Sequence, residues 1–393
     1  MSIEGEIRIE LTCQDERVSQ VVINSTRPLN LPKIFSGKPV DELLSMIPML
    51  YSICATAQSA AAVKACRQAT GIAADWRIEL LEQMLVNVET AREHLWRIMT
   101  DWSNHSESAL SRDHLATLAT LMSDARLACF RKGDSFTLKP NINFDAAAIE
   151  SIIQRIDKLC HEKIFAVSPA EWYGLEDQQA FDRWLEKSDT LAATLLRDLC
   201  EQTHNDRGDW GAEPLPQLDH QEVCQRLSEA DADAFIAAPD WHGRIYETGP
   251  LTRQLNHPLI VQLMQNFAQG VIPRLVARLL ELASLPARLS RQLRTLTDSA
   301  GSFESSSETD SPNQGLGEVE AARGRLFHRA VQQQGKINQY QIVAPTEWNF
   351  HPQGVVCQGL KNLSAKHEKR LRQQAEQLIS AVDPCVGFQL ELV

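Results

Sequence analysis

Nine cysteines lie along the 393 residues. A thiolate is a soft metal ligand, whereas a buried thiol is an inert packing group. Cys54 stands in Ser52-Ile53-Cys54-Ala55-Thr56-Ala57-Gln58, and Cys385 in Asp383-Pro384-Cys385-Val386-Gly387-Phe388 near the far end of the chain. Cys66, Cys129, Cys160, Cys200 and Cys224 fall within or near helical patterns and read as inert. The same bland reading is open for Cys54 and Cys385. His351, His367 and the other histidines show no ligand spacing. No phosphate-binding loop, catalytic triad or iron–sulfur cysteine cluster is present.

The elements that position these residues follow from periodicity. Residues 3–24 alternate, with Ile7, Ile9 and Leu11 on one side, then Val18, Val21, Val22 and Ile23, which predicts a β-hairpin. A segment containing Pro and Gly follows to about Pro39. From Asp41 to about Leu199 the pattern is mainly helical. Ile78, Leu81, Leu85, Val88, Leu95 and Ile98 recur mostly at steps of three and four, as do Phe181, Trp184, Leu185, Leu191, Leu195 and Leu199. Residues 204–220 read as a loop. Leu259–Leu282 is a helical stripe with a kink expected at Pro273. Residues 301–317, with the run Ser305 to Pro312, cannot bury a core and are expected to form a mobile surface loop. Leu326–Gln332 and Ile337–Val343 read as strands of a hairpin joined at Gly335-Lys336. A charged helix, Ser364–Val382, leads into Asp383. There is no internal repeat.

Hydrophobic residues make up 43% of the chain, enough for a sizeable core. The 39 basic and 51 acidic residues give a formal charge of −12, which argues against nucleic acid as a partner and suits meetings with other proteins. The start, Met1-Ser2-Ile3-Glu4, lacks the features of a signal peptide, and Ile47–Val63 is too short and mixed to span a bilayer. With an odd cysteine count that opposes a complete disulfide framework, the expected location is a reducing cytoplasm.

The surroundings of Cys54 and Cys385 resemble those of the cysteine motifs in the large subunit of nickel–iron hydrogenases. That family carries Cys-x-x-Cys at both places. Here Tyr51 stands at the first place of the first motif and Phe388 at the second place of the second. Five further stretches follow in the family's order. Ile3–Glu10 is similar to the opening strand, with Glu6 in place of a histidine, and Gly249-Pro250-Leu251-Thr252-Arg253 matches an internal signature. Glu320-Ala321-Ala322-Arg323-Gly324 resembles Glu-Ala-Pro-Arg-Gly. Gly335-Lys336-Ile337-Asn338-Gln339-Tyr340 and Pro345-Thr346-Glu347-Trp348-Asn349 complete the set. The chain is shorter than a typical catalytic subunit and is most similar to hydrogenase accessory proteins of the HupK/HoxV type.

The resemblance implies an α+β fold, mainly α, with a large-subunit-like helical core and small β elements near both termini. It implies one intertwined domain over residues 1–393, whose ends meet to bring Cys54 and Cys385 to one site. In the family the first cysteine of each motif binds nickel terminally and the second bridges nickel to iron. Cys54 thus matches a bridging position and Cys385 a terminal one. Losing half the sulfurs removes much of the affinity for nickel, so none is expected. Two thiolates still suffice for an iron saturated by carbon monoxide and cyanide. Arg323 and Thr346 match the residues that hold the cyanide ligands, and guanidinium is a multi-donor fork suited to an anion in a dry pocket.

The implied function is a non-catalytic accessory scaffold for nickel–iron hydrogenase maturation. It would hold the Fe(CN)2CO fragment transiently through Cys54 and Cys385 before transfer to the apo large subunit. Its expected partners are a HypC-type chaperone, the HypD-type iron-centre builder and the large-subunit precursor. The alternative is a metal-free interaction protein or chaperone that mimics the large subunit. Glu4 matches a family glutamate used in proton transfer and reads here as structural. Gln58 stands where the family commonly has His, and His328 matches a family histidine, equally suited to packing or function. Glu391 stands at the last motif's final histidine position, and proteolytic maturation is not expected.

Overall fold

The computed structural model describes residues 5–102, 112–131, 135–201, 211, 213–298, 313–364 and 366–393. Glu4 lies outside them. The alternation near the start forms β1 (Glu6–Gln14) and β2 (Arg17–Ser25), an antiparallel hairpin with Gln14 opposite Arg17. Its two-residue turn, Asp15-Glu16, has positive φ at both positions, as the twist of a tight hairpin requires. Ile7, Ile9 and Leu11 face the core.

The helical region runs through α1 (Val40–Leu50), α2 (Ala55–Thr70), α3 (Trp76–Asp101), α4 (Arg112–Cys129), α5 (Ala146–Leu159), α6 (Pro169–Tyr173), α7 (Gln178–Lys187) and α8 (Leu191–Glu201). α2 is built largely of small residues, and Ala57, Ala60, Ala61, Ala62 and Ala65 are buried. Short side chains allow close approach by a neighbouring backbone. Arg67 of α2 pairs with Glu82 of α3 through two bonds of 2.7 and 2.8 Å, a buried bidentate contact.

Of the loop expected at 204–220, residues 204–210 and 212 lie outside the described residues. Glu213–Pro214 form a short strand, β3, parallel to β4 (Tyr246–Glu247). Between them stand α9 (His220–Arg226) and α10 (Ala232–Ala237), and after them α11 (Pro250–Gln254). The helical stripe expected to kink at Pro273 is two helices, α12 (Pro258–Phe267) and α13 (Val271–Asp298). The break falls at Ala268, whose φ is +48°, and Pro273 sits in the first turn of α13. Proline is tolerated there because its missing N–H has no intrahelical partner to lose. α13 is the central helix, buried without a break from Val271 through Ala283 and packed against α3, α5, α6 and α11.

Residues 301–312 of the expected mobile loop lie outside the described residues. The rest of that expectation is corrected, because Gln314–Ala321 is a strand, β5. It leads an antiparallel sheet with β6 (Gly324–Gln333) and β7 (Lys336–Val343), in the order β5-β6-β7. The β6–β7 turn is Gln334-Gly335, both with positive φ, one residue earlier than expected. β5 lies flat on α2. A Cβ at Gly315 would stand 2.2 Å from the Ala65 carbonyl oxygen, and one at Gly317 1.9 Å from that of Ala61. Only glycine permits this approach.

The chain closes with α14 (Pro345–Asn349), α15 (Val355–Lys361), α16 (Glu368–Val382) and β8 (Gly387–Leu392). The last helix begins four residues later than expected. β8 pairs in parallel with β1, from Glu6 opposite Gly387 to Leu11 opposite Leu392, giving the sheet order β2-β1-β8. The two ends of the chain therefore meet. The fold is α+β and mainly helical, with small β elements near both termini. No described helix is long and apolar enough to cross a membrane.

Candidate metal centre

Cys54 occupies the N-cap position of α2 without capping it through its side chain. That task falls to Glu89 of α3, whose carboxylate accepts from the backbone N–H groups of Thr56 and Ala57, both at 2.8 Å. The helix's free amide donors are thus met by a carboxylate, as its dipole favours. The Cys54 sulfur is left to the cavity beside it.

Cys385 follows the end of α16. Asp383 takes a left-handed conformation, with φ +65°, and turns the chain from helix to strand. Because β8 pairs with β1, and β1 with β2, Cys385 and Arg27 flank the same end of one sheet.

The two cysteines line one cavity of about 40 Å³. Arg27, Tyr51, Gln58 and Glu347 share its wall, with Pro28, Leu29, Leu31, Pro32, Ile342 and Ala344 as the apolar remainder. Cys385 Sγ accepts from Arg27 Nη1 at 3.2 Å. Thr346 Oγ1 lies 2.9 Å from the same sulfur and accepts from the Cys385 backbone N–H at 3.5 Å. The hydroxyl can give its proton to a Cys385 thiolate or, through its second lone pair, accept one from the thiol. Two donors on one sulfur, one of them cationic, make the surroundings that a thiolate ligand needs.

Cys54 Sγ accepts from Gln58 Nε2 at 3.6 Å. The orientation of that amide is fixed from behind. His328 Nε2 lies 2.8 Å from Gln58 Oε1, and His328 Nδ1 lies 2.6 Å from the Tyr340 hydroxyl. Burial drives the His328 pKa down to about 3, so the ring is neutral. A neutral ring that donates from Nε2 must accept at Nδ1, which makes Tyr340 a donor. Gln58 then presents its oxygen to His328 and its NH2 to the sulfur. Burial raises the Cys54 pKa, Cys385 and Glu89 add to the rise, and Gln58 and Arg323 oppose it.

Arg323 is not among the residues that line the cavity. Its Nη1 donates to Glu93 at 3.1 Å, and its Nε lies 3.2 Å from Asp383 Oδ2. Burial opposes its charge, but Asp383, Glu93, Cys385 and Cys54 outweigh that and raise its pKa. It stands behind the site as a fixed positive charge. Asp383 also meets Arg97 at 3.1 Å and Arg278 at 3.8 Å. Burial pushes its pKa up and Arg323, Arg278 and Arg97 pull it down, with a net lowering.

Tyr51 lines the cavity, as its place in the first motif suggests. Phe388 instead lines a separate cavity of about 450 Å³, with Arg97, Leu199 and Leu275. Among the described residues, no three His, Cys, Asp or Glu side chains gather to hold a metal ion. The donors on offer are two sulfurs. Burial pushes Cys66 and Cys129 up to about 12 and Cys200 to about 11.

Sequence reasoning missed Arg27 and Glu347. Arg27 lies in the Pro/Gly segment after β2, where no local pattern marks it. Glu347 sits inside a recognised stretch, but its charge was given no role. The pair meets at 3.2 Å, from Arg27 Nη1 to Glu347 Oε1. Burial opposes the Arg27 charge, while Cys385, Glu347 and Cys54 raise its pKa above the ordinary value.

The chain is similar to proteins of known name. It is 29% identical over 381 residues to the hydrogenase expression/formation protein HoxV of Cupriavidus necator, covering 94% of this chain and 92% of that one. It is 26% identical to the expression/formation protein HupK of Bradyrhizobium diazoefficiens, covering 100% and 98%. Its fold matches the nickel–iron–selenium hydrogenase of D. vulgaris Hildenborough with a TM-score of 0.64, 16% identity, and coverage of 95% and 94%. The family model described as nickel-dependent hydrogenase matches residues 185–387, over half of the sequence and up to the residue before Phe388. The chain belongs to the nickel-dependent hydrogenase family.

Proposed function

We propose that this protein is a non-catalytic accessory factor in hydrogenase maturation that carries an iron fragment, Fe(CN)2CO, between Cys54 and Cys385. The observation that carries this reading is the pair of sulfurs on one small buried cavity, each already met by a hydrogen-bond donor. A bare divalent ion wants four or more ligands, which two sulfurs do not supply. An iron that brings three diatomic ligands of its own needs few protein donors. Two positions that supply sulfur in the large subunit are Tyr51 and Phe388, so nickel has too few soft donors. The relatives named hydrogenase expression/formation proteins, similar over nearly the whole length, support the maturation setting. Thr346 acts on the Cys385 sulfur, and Arg323 supplies charge from behind. In this reading the fragment arrives from a HypC-type chaperone and the HypD-type builder and passes to the large-subunit precursor.

A second reading is a metal-free mimic of the large subunit that binds its chaperones. The large-subunit fold, kept with Tyr51 and Phe388 in place of two sulfurs, favours it. One experiment separates the two. The protein is purified without air from cells that express the upstream maturation proteins, then measured by infrared spectroscopy and metal analysis. Carbon monoxide and cyanide bands with iron and without nickel, lost in Cys54→Ala and Cys385→Ala, support the carrier. A protein without bands that still captures the chaperone supports the mimic.

A further inference from the structure

A separate cavity of about 310 Å³ lies where α1, α2 and α4 meet. Cys54 and Gln58 line the cavity with both sulfurs, whereas Ser59, the next residue of α2, lines this one. Arg126 of α4 and Asp41 of α1 share its wall, with Leu44, Pro48 and Phe136 as apolar lining. Arg126 Nη2 donates to Thr56 Oγ1 at 3.3 Å, and its buried Nε has no hydrogen-bond partner. A place in the last turn of α4 accounts for a positive charge there. It does not account for a guanidinium donor turned inward and left open, which costs stability unless something arrives to meet it. Among the described residues, Arg126 and Asp41 make no ion pair with each other, although both face this cavity. Phe136 adds an independent sign. Its φ is +61°, a conformation that a bulky side chain adopts only under constraint. The constraint comes from Arg67, which donates to the Thr137 and Leu138 carbonyls at 2.7 and 3.2 Å. Strain held in place by its surroundings, at the wall of a cavity, points to a wall shaped for an occupant.

We propose that this cavity binds a small zwitterion, with a phosphate or carboxylate group at one end and an ammonium group at the other. The anionic end accepts from Arg126 Nε and the Ser59 hydroxyl. The ammonium end meets Asp41, and the apolar lining covers the carbon chain between. The edge of a guanidinium, Nε with a terminal nitrogen, suits two oxygens of one anion. Asp41 repels a bare anion, so the ligand needs a positive end of its own. The site goes beyond the carrier reading and does not depend on it, since neither sulfur takes part.

Titration calorimetry of the full-length protein tests this with four probes: phosphoethanolamine, β-alanine, inorganic phosphate and acetate. One of the two zwitterions should bind with a Kd of about 1 mM or tighter. Phosphoethanolamine as the binder identifies a phosphate ligand, and β-alanine a carboxylate. That zwitterion should bind about tenfold more tightly than phosphate or acetate, its counterpart without the ammonium group. Arg126→Leu should weaken it about tenfold or more, the scale of a lost hydrogen bond to a charged group. Asp41→Asn should bring the zwitterion down to the affinity of its counterpart. Asp41 is exposed, so this variant and Arg126→Lys decide if Arg126→Leu does not fold. Arg126→Lys keeps the charge but loses the paired donors, and weaker binding is expected. Unchanged binding in both Asp41→Asn and Arg126→Lys would overturn the proposal. So would a counterpart that binds as tightly as its zwitterion, or no heat from either zwitterion up to about 10 mM.

Discussion

Arg27 Nη1 lies 3.2 Å from Cys385 Sγ across 358 residues of sequence, and the same nitrogen lies 3.2 Å from Glu347 Oε1. One guanidinium therefore serves a thiol and a carboxyl group that reach the cavity from different elements. Arg27 leaves β2, Cys385 enters β8 and Glu347 rides on α14. The relationship depends on the parallel pairing of β8 with β1, which places both ends of the chain beside the cysteine at the head of α2.

Removing one member of this buried pair leaves the other without compensation. Arg27→Ala is expected to cost about 3–5 kcal/mol, the usual penalty for an uncompensated buried charge. Replacing both members by apolar residues of similar size removes the charge problem itself. The double variant Arg27→Met with Glu347→Leu should recover most of the loss. Urea denaturation of the two single variants and the double variant measures this directly. Additive losses would show that the two side chains are not energetically linked.

His328 makes stability depend on pH in a defined direction. Its folded pKa, about 3, lies well below the ordinary histidine value of about 6.5. Between those values the unfolded chain binds a proton that the folded chain refuses, so stability rises with pH through this window. The contribution is complete above about pH 6.5 and is lost as the pH falls, at up to about 1.4 kcal/mol per unit. His328→Gln removes the titrating group while keeping polar atoms near Gln58 and Tyr340. Denaturation curves at pH 7, 6, 5 and 4 should be less steep in pH for the variant. Equal slopes would mean that His328 does not hold the neutral form against protonation.

Asp383 is the hub of the charge cluster behind Cys385. Its carboxylate faces Arg323, Arg97 and Arg278, and their pull lowers its pKa despite burial. A carboxylate whose folded pKa is depressed adds stability that is complete above its unfolded value near 4. That stability is lost as the pH falls through the folded pKa. Asp383→Asn keeps the shape and the tolerance for left-handed φ, so it isolates the charge. The expected cost is about 3 kcal/mol at neutral pH, shrinking below pH 4 as the wild-type group also loses its charge. A loss that persists undiminished in acid would point to geometry in place of charge.

Alternation made β1 and β2 legible because half of each strand faces the core. The three-and-four spacing did the same for α3, α7 and α8. Cys54, Cys385 and Thr346 were also legible, since each sits in a distinctive local context, and all three gather at the site. Arg323 was legible as a residue near the site, but its ion pairs come from α3 and the segment after α16, which no local pattern reveals. Arg27 and Glu347 escaped for the same reason. β8 carried an alternating signal in Phe388, Leu390 and Leu392, yet a parallel partner at the opposite end of the chain leaves no mark in either segment. β5 was hidden by the serine-rich run before it and by glycines that disfavour strands in general. Those glycines make sense only once α2 is seen lying against them. Pro273 illustrates the opposite error, a strong local signal whose effect depends on where the helix begins.

The contact between β5 and α2 offers the most direct test of how the Cys54 side of the site is held. Gly317 faces the Ala61 carbonyl, and its Cβ would stand 1.9 Å away, far inside any permitted contact. The obstacle is helix backbone, which cannot swing aside as a side chain does. Gly317→Ala must push β5 and α2 apart along a face on which Ala61, Ala62 and Ala65 are fully buried. Overpacking of this kind costs about 1–3 kcal/mol, and more where backbone must move. The displaced helix carries Gln58 and follows Cys54, so if the protein is the proposed iron carrier the same variant should also weaken retention of iron without touching any side chain in the cavity. Gly335→Ala is the control, because its Cβ meets nothing within 4 Å and only its left-handed φ is strained. A smaller loss for Gly317→Ala than for Gly335→Ala would show that helix and strand do not meet as closely as described here.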